Sequence, residues 1–439
     1  MMKDAVMSTD TLSSLLLARA AGVGGARVAV YQRRLGVWEP TSWAELAAAA
    51  ERIGNGLAAK GVVAGDVVAL IGDDSVELLA AEHGVIGLGA VALLVPPDYS
   101  PVTTAALLLE HRAKAAITAD QEQFDKCVDA PTPPDIVVVI DTRGLRGLEM
   151  AGRSDRASRA TLAQLIDDAG AVSSWRASAE SRAMNDRTLL VASASGPDVV
   201  VHAVTNGALC AAGSSAAQAL RIDARSRLLL QRSLAELDDQ VVHVAAPAAV
   251  GAAITIGEGG LLASAEIAQV APSHLRSSPK WLGTVTADAS RRATETRGIK
   301  RLALRGALPS ADPSATASHV PLLAPGRIVG LMTGLVGLAF LLLTTSMNDW
   351  LRLLLCTLIA AVGGLVYMRT PNAVSGAIRR RYGLGRCGTV IAGAEELSAD
   401  GRRLLGGLGI AVAAPSNVEA TVVGRIPSSI LHARQGSRA

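Results

Sequence analysis

Helical patterns and short apolar runs alternate over the first 150 residues, and this alternation constrains the fold more than any other feature of the sequence. Residues 42–45 (SWAE) have the spacing of a capping box, in which the Ser42 hydroxyl accepts from the Glu45 amide and the Glu45 carboxylate accepts in return. Apolar residues then recur at helical spacing over 46–57, and Gly61 ends the predicted helix.

The same alternation continues further along the chain. The predicted elements are a helix over about 76–88 and strands over 67–71, 91–95, 115–118, 136–140, 189–192 and 228–231. A polar stretch over about 143–187 separates the first four strands from the later two. Strands spaced by helices predict an α/β fold with a parallel, doubly wound sheet.

Composition excludes several classes of function. The 42 basic and 39 acidic residues leave a net charge of +3, which is too even for a nucleic-acid-binding surface. The four cysteines are far apart, show no metal-ligand spacing and predict reduced thiols in a cytosolic body. Asp4 and Asp10 interrupt the apolar core that a signal peptide requires, so we do not expect secretion.

Two uncharged apolar segments, 328–343 and 353–368, predict a transmembrane helical hairpin. With its flanks each segment approaches the roughly 18 residues that a membrane helix requires, and glycines in both permit close packing. Arg327 precedes the pair, while Arg369 and the arginines at 379–381 follow it, so the positive-inside rule places both termini in the cytoplasm. The alternative is a buried helical hairpin of a soluble core, although soluble helices are seldom apolar on every face.

Several blocks of sequence occur in the order that they have in one enzyme family. The blocks are 41–46 (TSWAEL), 61–70 (GVVAGDVVAL), 87–91, 95–97, 245–257, 272–281, 382–384, 392–394 and 397–410. They resemble the long- and medium-chain acyl-CoA synthetases of the adenylate-forming superfamily, over most of residues 11 to 425. The resemblance implies the large-domain fold of those enzymes, with parallel sheets flanked by helices, to which the sequence adds the transmembrane hairpin.

The resemblance also implies a phosphate loop, which this chain has lost in part. The family motif TSGTTGxPKG offers glycine amides to ATP phosphates and neutralises their charge with a lysine. The corresponding stretch is a degenerate loop that keeps Ser193, Ser195 and Gly196. Val200 stands where the lysine is expected, and Asp198 adds a negative charge. No cofactor is assigned, because these changes put ATP and magnesium binding in doubt.

Other positions depart from the family motifs. Asn206 replaces a histidine, residues 234–237 lack the histidine of the LPLxH motif, and 393–396 (GAEE) puts two charges where an apolar wall is expected. Residues 415–419 (PSNVE) replace YGxTE, so Glu419 is either a relic of the metal-binding glutamate or an ordinary exposed charge. The chain ends before the family's ribose-binding aspartate and its small domain. We therefore predict no catalytic residues.

No other constellation points to a catalytic or metal site. His202, His243 and His274 have no metal-ligand spacing, so we predict structural histidines and no metal. The predicted domains are two AMP-binding-like α/β subdomains, a linker, the hairpin and a C-terminal remnant of the same fold, over residues 1–186, 187–306, 307–326, 327–369 and 370–439.

These expectations combine into a membrane-anchored, catalytically inactive acyl-CoA synthetase-like protein with a cytoplasmic body. It would act as a scaffold, sensor or carrier in fatty acid or lipid metabolism. Expected partners are membrane lipid, an acyl lipid or acyl-CoA, and a protein, but no nucleic acid. One alternative is a fatty acid–CoA ligase with residual activity, or one completed by a partner chain. Another is a subunit whose hairpin packs into a larger membrane complex.

Overall fold

The computed structural model describes residues 10–143, 157–195, 198–276, 281–285, 287–288, 291, 357–358, 379–392, 399–413 and 420–427. These residues belong to two compact units, the first formed by Met1–Glu258 with Pro415–Ala439 and the second by Gly259–Ala414. The predicted boundary at 186/187 falls inside the first unit. The predicted hairpin lies outside the described residues, except for Thr357 and Leu358.

Helices of the first unit cover and separate its strands. They are α1 (Leu12–Ala20), α2 (Trp43–Ala59), α3 (Val76–Leu88), α4 (Pro101–Glu110), α5 (Gln121–Val128), α6 (Leu162–Asp167), α7 (Trp175–Glu180), α8 (Asn206–Leu220), α9 (Leu237–Asp239) and α10 (Ala246–Val250). A π-helix (Gln240–Ala245) joins α9 to α10, and a 3₁₀ helix (Gly22–Ala26) follows α1. Residues 237–250 thus form one helical run, hereafter the π run.

The strands of the first unit form two sets. They are β1 (Val28–Arg34), β2 (Val37–Ser42), β3 (Val67–Ile71), β4 (Val91–Val95), β5 (Ala113–Thr118), β6 (Ile136–Val139), β7 (Ser158–Thr161), β8 (Arg187–Ser195), β9 (Asp198–Thr205), β10 (Arg227–Leu230), β11 (Ala253–Ile256) and β15 (Thr421–Ile426). One sheet has eight strands in the order β15-β9-β8-β4-β3-β5-β6-β7. The other set runs β10-β11-β1-β2.

The second unit contains three parallel strands, β12 (His274–Arg276), β13 (Thr389–Ile391) and β14 (Ala411–Ala413), which pair in that order. Its helices are α11 (Ala263–Val270) and α12 (Ala399–Gly407), with a 3₁₀ helix at Gly260–Leu262. Trp281 is anchored within this unit, because its indole nitrogen donates to the Ser264 hydroxyl over 3.1 Å.

Helices and parallel strands alternate as predicted, but the sheets are not parallel throughout. The pairs within β8-β4-β3-β5-β6-β7 are parallel, whereas β8 with β9, β9 with β15, and β1 with β2 are antiparallel. The predicted α/β fold with parallel strands flanked by helices is therefore confirmed, with antiparallel pairs at sheet edges that the sequence did not predict. The reason is local: β8 and β9 are separated by two residues, and parallel strands need a crossover of a dozen or more.

Aliphatic residues build the core, as the composition requires. Strands β3, β4 and β6 are almost entirely buried, which is typical of parallel strands covered by helices on both faces. Their side chains pack with Leu107 and Phe124, from the helices on one side, into a continuous cluster. This core fixes the eight-stranded sheet to which Ser193 and Ser195 belong, as residues of β8.

Candidate functional site

The segment that corresponds to the family's phosphate loop forms a tight antiparallel hairpin. Ser195 of β8 pairs with Asp198 of β9, so only two residues separate the paired positions. Ser193 pairs with Val200 and its hydroxyl donates to the Val200 carbonyl over 3.4 Å. Gly196 lies outside the described residues. Ser193 and Ser195 are therefore ladder residues rather than members of an extended loop.

Strand β9 lies between two neighbours, and this decides what its backbone can bind. Val200 pairs with Ser193 on β8 and with Arg425 on β15. In an antiparallel ladder flanked on both sides, the N–H groups of the central strand are already used by its neighbours. A phosphate loop needs free N–H groups that converge on the anion. The described residues of β9 do not offer them.

An ion pair lies near Val200, where the resemblance to the family predicts a lysine. Arg425 donates from Nε to Asp198 Oδ2 over 2.9 Å, with 17% of the Asp198 side chain and 65% of the Arg425 side chain exposed. The arginine charge is thus matched by a carboxylate on the adjacent strand. Val200 itself is partly buried and uncharged. These residues do not fit a bound triphosphate, because neither a free cation nor a cradle of amides is present among them.

The possible relic of the metal ligand, Glu419, lies outside the described residues, so it stays a prediction. Among the described residues, no group of three or more His, Cys, Asp and Glu side chains could hold a metal ion. His274 contacts the Ser273 hydroxyl through Nδ1 at 2.9 Å, and His202 lies within β9. Neither histidine is part of a cluster that resembles a metal centre.

A second group of ionisable and polar side chains lies between α3 and the π run. We call it the buried polar cluster; its members are Glu82, Asp239, Gln240 and His243, which are at most 2% exposed, and Asp74, which is partly exposed. His243 Nδ1 is 2.9 Å from Asp239 Oδ1, and Gln240 Nε2 donates to Glu82 Oε2 over 3.0 Å. Carboxylates are rarely buried so completely, since desolvation of a charge costs several kcal/mol.

Burial sets the protonation of this cluster. It raises the pKa of Glu82 to about 8, and the nearby Asp74 carboxylate acts in the same direction, against the hydrogen bond from Gln240. Burial also raises the pKa of Asp74 to about 7, with Asp239 adding to the effect. The adjacent His83 is buried too, which lowers its pKa to about 4. At neutral pH, Glu82 is therefore mostly a neutral acid and His83 a neutral imidazole.

Sequence reasoning did not identify this cluster. It treated His243 as structural and did not single out Asp74, Glu82 or Asp239. A local signal does exist, because Glu82 and His83 interrupt a helix whose other residues after Glu77 are apolar or glycine. A polar pair within an otherwise apolar helix indicates either an error in the assignment or a buried polar network.

The apolar side chains of the π run and of β11 are packed in the core. Val241, Val242, Val244 and Ile254 are at most 3% exposed. A cavity beside Val244 and Ile254 has a volume of about 10 Å³, which is room for one water molecule rather than an acyl chain. The segment is therefore closed in this conformation.

A larger space lies elsewhere in the first unit. A groove of about 210 Å³ is lined by apolar residues of α4, including Val102 and Leu109, and by Ile426 of β15. Glu110 and Arg425 also line it. This groove adjoins the strand that carries the Asp198 ion pair. It offers an apolar wall with charged groups beside it.

Comparison with known proteins identifies the family. The sequence profile of the AMP-binding enzyme family matches residues 17–400, which is most of the chain. The chain belongs to this family. The match supports the resemblance to the acyl-CoA synthetases. The α/β architecture of the chain is also that of the adenylate-forming enzymes. Among curated proteins, none matches the chain.

Solved structures share the fold at low identity. VinN in complex with L-aspartate is 14% identical with a TM-score of 0.51, over 65% of this chain and 66% of that one. The N-terminal domain of FACL13 from Mycobacterium tuberculosis is 19% identical, with a TM-score of 0.51 over 63% and 64% of the two chains. The anthranilate CoA ligase AuaEII, bound to anthranoyl-AMP, is 16% identical, with a TM-score of 0.52 over 64% and 51%.

The chain spans between about half and two thirds of the length of these structures. At such identities the likeness establishes the fold, because function is carried by the residues of the site. Within the described part of the chain, no helix combines the length and the apolar character that crossing a membrane demands.

Proposed function

We propose that this chain is a member of the AMP-binding family that does not form adenylates. It is held at the membrane and acts as a scaffold, sensor or carrier in fatty acid or lipid metabolism. The pairing of Ser195 with Asp198 carries the proposal, because it leaves two residues where the family has an extended, glycine-rich phosphate loop.

Charge supports the same conclusion. Adenylation needs a cation that faces the ATP phosphates, and Val200 stands at that position. The neighbouring Arg425 is already paired with Asp198. Removal of one transition-state-stabilising donor typically costs about 3 kcal/mol, or a hundredfold or more in rate. The loss of both the lysine and the amide cradle would leave little adenylation, although such effects are not additive.

Calorimetric titration of the purified full-length protein with Mg-ATP tests the nucleotide site. We expect no saturable binding up to millimolar ATP, which corresponds to about −4 kcal/mol. The variant Asp198→Asn is the matched control. It removes the negative charge but keeps the hairpin, so it should not gain binding. A micromolar dissociation constant in the unchanged protein would contradict the proposal.

The membrane anchor rests on residues 327–369. Two uncharged segments with arginines on their outer flanks favour two spans with both ends inside the cell. In such an arrangement the hairpin would hold the AMP-binding-like body at the cytoplasmic surface. The body would then be close to acyl lipids and to membrane-bound partners.

An acyl lipid or acyl-CoA is the ligand that the family and the membrane anchor together favour. Native mass spectrometry and titration with a fluorescent fatty acid would measure this binding. Affinity in the micromolar range, on the order of −8 kcal/mol, would support a carrier or sensor. If no lipid binds, the scaffold role alone remains, and proteins recovered with the detergent-solubilised chain would identify its partner.

A further inference from the structure

The buried polar cluster has no role in the proposed function, and its arrangement points to a switch. We propose that it is a proton-dependent latch between α3 and the π run. When Glu82 carries a proton, its side chain holds Gln240 and keeps the π run closed. When Glu82 loses the proton, the π run opens locally.

The hydrogen bonds between the two side chains favour a protonated Glu82. Gln240 Nε2 donates to Glu82 Oε2 over 3.0 Å and to the Leu234 carbonyl over 2.8 Å. The other oxygens of this pair, Glu82 Oε1 and Gln240 Oε1, are buried and have no hydrogen-bond partner among the described residues. Two acceptors left over in one pair require an added donor. A proton on Glu82 supplies it.

The surroundings of Glu82 oppose its ionisation. Asp74 lies nearby and accepts from the Leu234 amide over 2.9 Å, while Asp239 is 2.9 Å from His243. Glu82 forms no ion pair with any described residue. Its ionisation would therefore place a further negative charge among buried carboxyl groups. Like charges at short distance in a low-dielectric interior repel strongly, which gives the cluster a reason to separate.

The cations on elements packed against α3 are exposed or bonded to other groups. Strands β3 and β4, which pack against α3, and helix α8, which packs against the π run, carry no Asp, Glu, Lys, Arg or His. The charged side chains on the other helices beside α3 are Arg19 of α1, Glu45, Glu51 and Arg52 of α2, and Arg176 and Glu180 of α7. Arg19 donates to the Ala248 carbonyl over 2.8 Å, Glu45 caps α2 and Glu51 pairs with Arg176 at 2.9 Å.

The π run is irregular in its helical hydrogen bonding. It passes from α-helix to π-helix and back to α-helix between Leu237 and Val250. A π-turn is rare, and it often marks a functional position. Gln240, which contacts Glu82, is the first residue of the π-helix. Loss of the hydrogen bond between Gln240 and Glu82 would therefore act directly on the π-helical turn.

The direction of the response follows from the proton balance. The closed state binds a proton on Glu82 that the open, hydrated state does not hold at neutral pH. The closed state is therefore favoured at low pH, and this advantage is lost as pH rises through the pKa of Glu82 near 8. Asp74, whose pKa burial also raises, contributes in the same direction at slightly lower pH.

Amide hydrogen exchange of the full-length protein in detergent tests the latch between pH 6 and pH 9. After correction for the intrinsic pH dependence of exchange, the opening of 237–250 should increase by up to about tenfold per pH unit for one proton released, and level off above pH 8. In Glu82→Gln, which keeps the shape of the side chain and cannot ionise, the corrected opening should keep only the response that Asp74 contributes below about pH 7 and should not change between pH 7 and pH 9. Glu77→Gln, on the same helix and paired with Arg34 at the surface, should behave as the unchanged protein.

Infrared titration of the unchanged protein gives a second readout, which does not depend on whether a variant folds. A buried carboxylic-acid band should disappear between pH 7 and pH 9, in step with the opening of 237–250. A flat exchange profile in the unchanged protein would overturn the latch. A Glu82→Gln variant that keeps the full pH response, or a carboxyl band that is absent at pH 6, would overturn it as well.

Discussion

Trp175 of α7 contacts both α2 and α3 and so connects the three helices. Its backbone N–H donates to Asn55 of α2 over 3.0 Å, and its indole nitrogen donates to the Gly84 carbonyl of α3 over 2.8 Å. The ring fills space that is open because Gly54 and Gly87 have no side chains. A Cβ at Gly54 would lie 2.0 Å from the ring, and one at Gly87 would lie 2.5 Å from it.

A methyl group at this contact should destabilise the first unit. For Gly54→Ala we expect a loss of about 1 to 3 kcal/mol in the free energy of unfolding, because the buried ring has no space to move into. Denaturant titration would measure it. Ala48→Ser adds one atom to the exposed face of the same helix and should stay within about 0.5 kcal/mol of the unchanged protein. Equal stabilities for the two variants would contradict this packing.

His83 should make the protein sensitive to acid. Burial lowers its pKa to about 4, so the folded state excludes a proton that the unfolded chain binds below about pH 6.5. Stability from this residue is present above pH 6.5 and is lost as pH falls towards 4, by up to about 1.4 kcal/mol per pH unit. His83→Leu should flatten this part of the profile of unfolding free energy against pH. An unchanged slope would exclude a buried, neutral His83.

Several helices and strands could be predicted from the sequence, because interactions between residues close in sequence determine them. The capping box at 42–45 is confirmed, since the Glu45 carboxylate accepts from the Ser42 amide over 2.7 Å and the Ser42 hydroxyl accepts from the Glu45 amide over 3.2 Å. Helices α2 and α3 and strands β3 and β4 occupy the predicted ranges.

Ser42→Ala tests the contribution of this cap to α2. The variant leaves the Glu45 amide without its acceptor, so we expect a loss of about 1 kcal/mol in the free energy of unfolding. The Ser42 hydrogen bonds also lower the pKa of Glu45, so this contribution should be present at neutral pH and decline on acidification. Denaturant titrations at neutral and acidic pH would measure both effects. An unchanged stability at neutral pH would exclude a contribution from the cap.

Elements that depend on distant contacts could not be predicted in this way. Strand β7 and helices α6 and α7 lie in the stretch that was expected only to separate two regions, and β7 is held by pairing with β6. Strand β15 pairs with β9 from the far end of the chain. The π-helix has no signature in periodicity, because its extra residue per turn is fixed by tertiary packing.

At the scale of the whole molecule, some features of the candidate site could be predicted from the sequence and others could not. The loss of phosphate binding is a prediction from Gly196 and Val200, because glycine and lysine have defined roles in the family motif. The ion pair between Asp198 and Arg425 could not be predicted, since it joins residues 227 positions apart. Glu419 and the membrane hairpin, which lie outside the described residues, stay predictions.

The membrane anchor can be tested in intact cells with an impermeant thiol reagent. We expect the reagent to modify Asn348→Cys, in the connection between the two apolar segments, and to spare Thr9→Cys, because both termini are predicted to be inside. After lysis, Thr9→Cys should be modified, which is the control for its accessibility. Extraction of the protein from membranes by carbonate would contradict the anchor.

The most direct measurement of the central claim is the exchange of pyrophosphate into ATP that depends on a fatty acid. Purified full-length protein in detergent should give exchange at background level, and Val200→Lys should not raise it, because the hairpin still withholds the backbone amides. An active acyl-CoA ligase assayed in the same detergent is the control. Exchange that requires an added partner chain would favour a ligase completed by that partner. Robust, fatty-acid-dependent exchange by the unchanged protein alone would contradict the claim that this chain does not form adenylates.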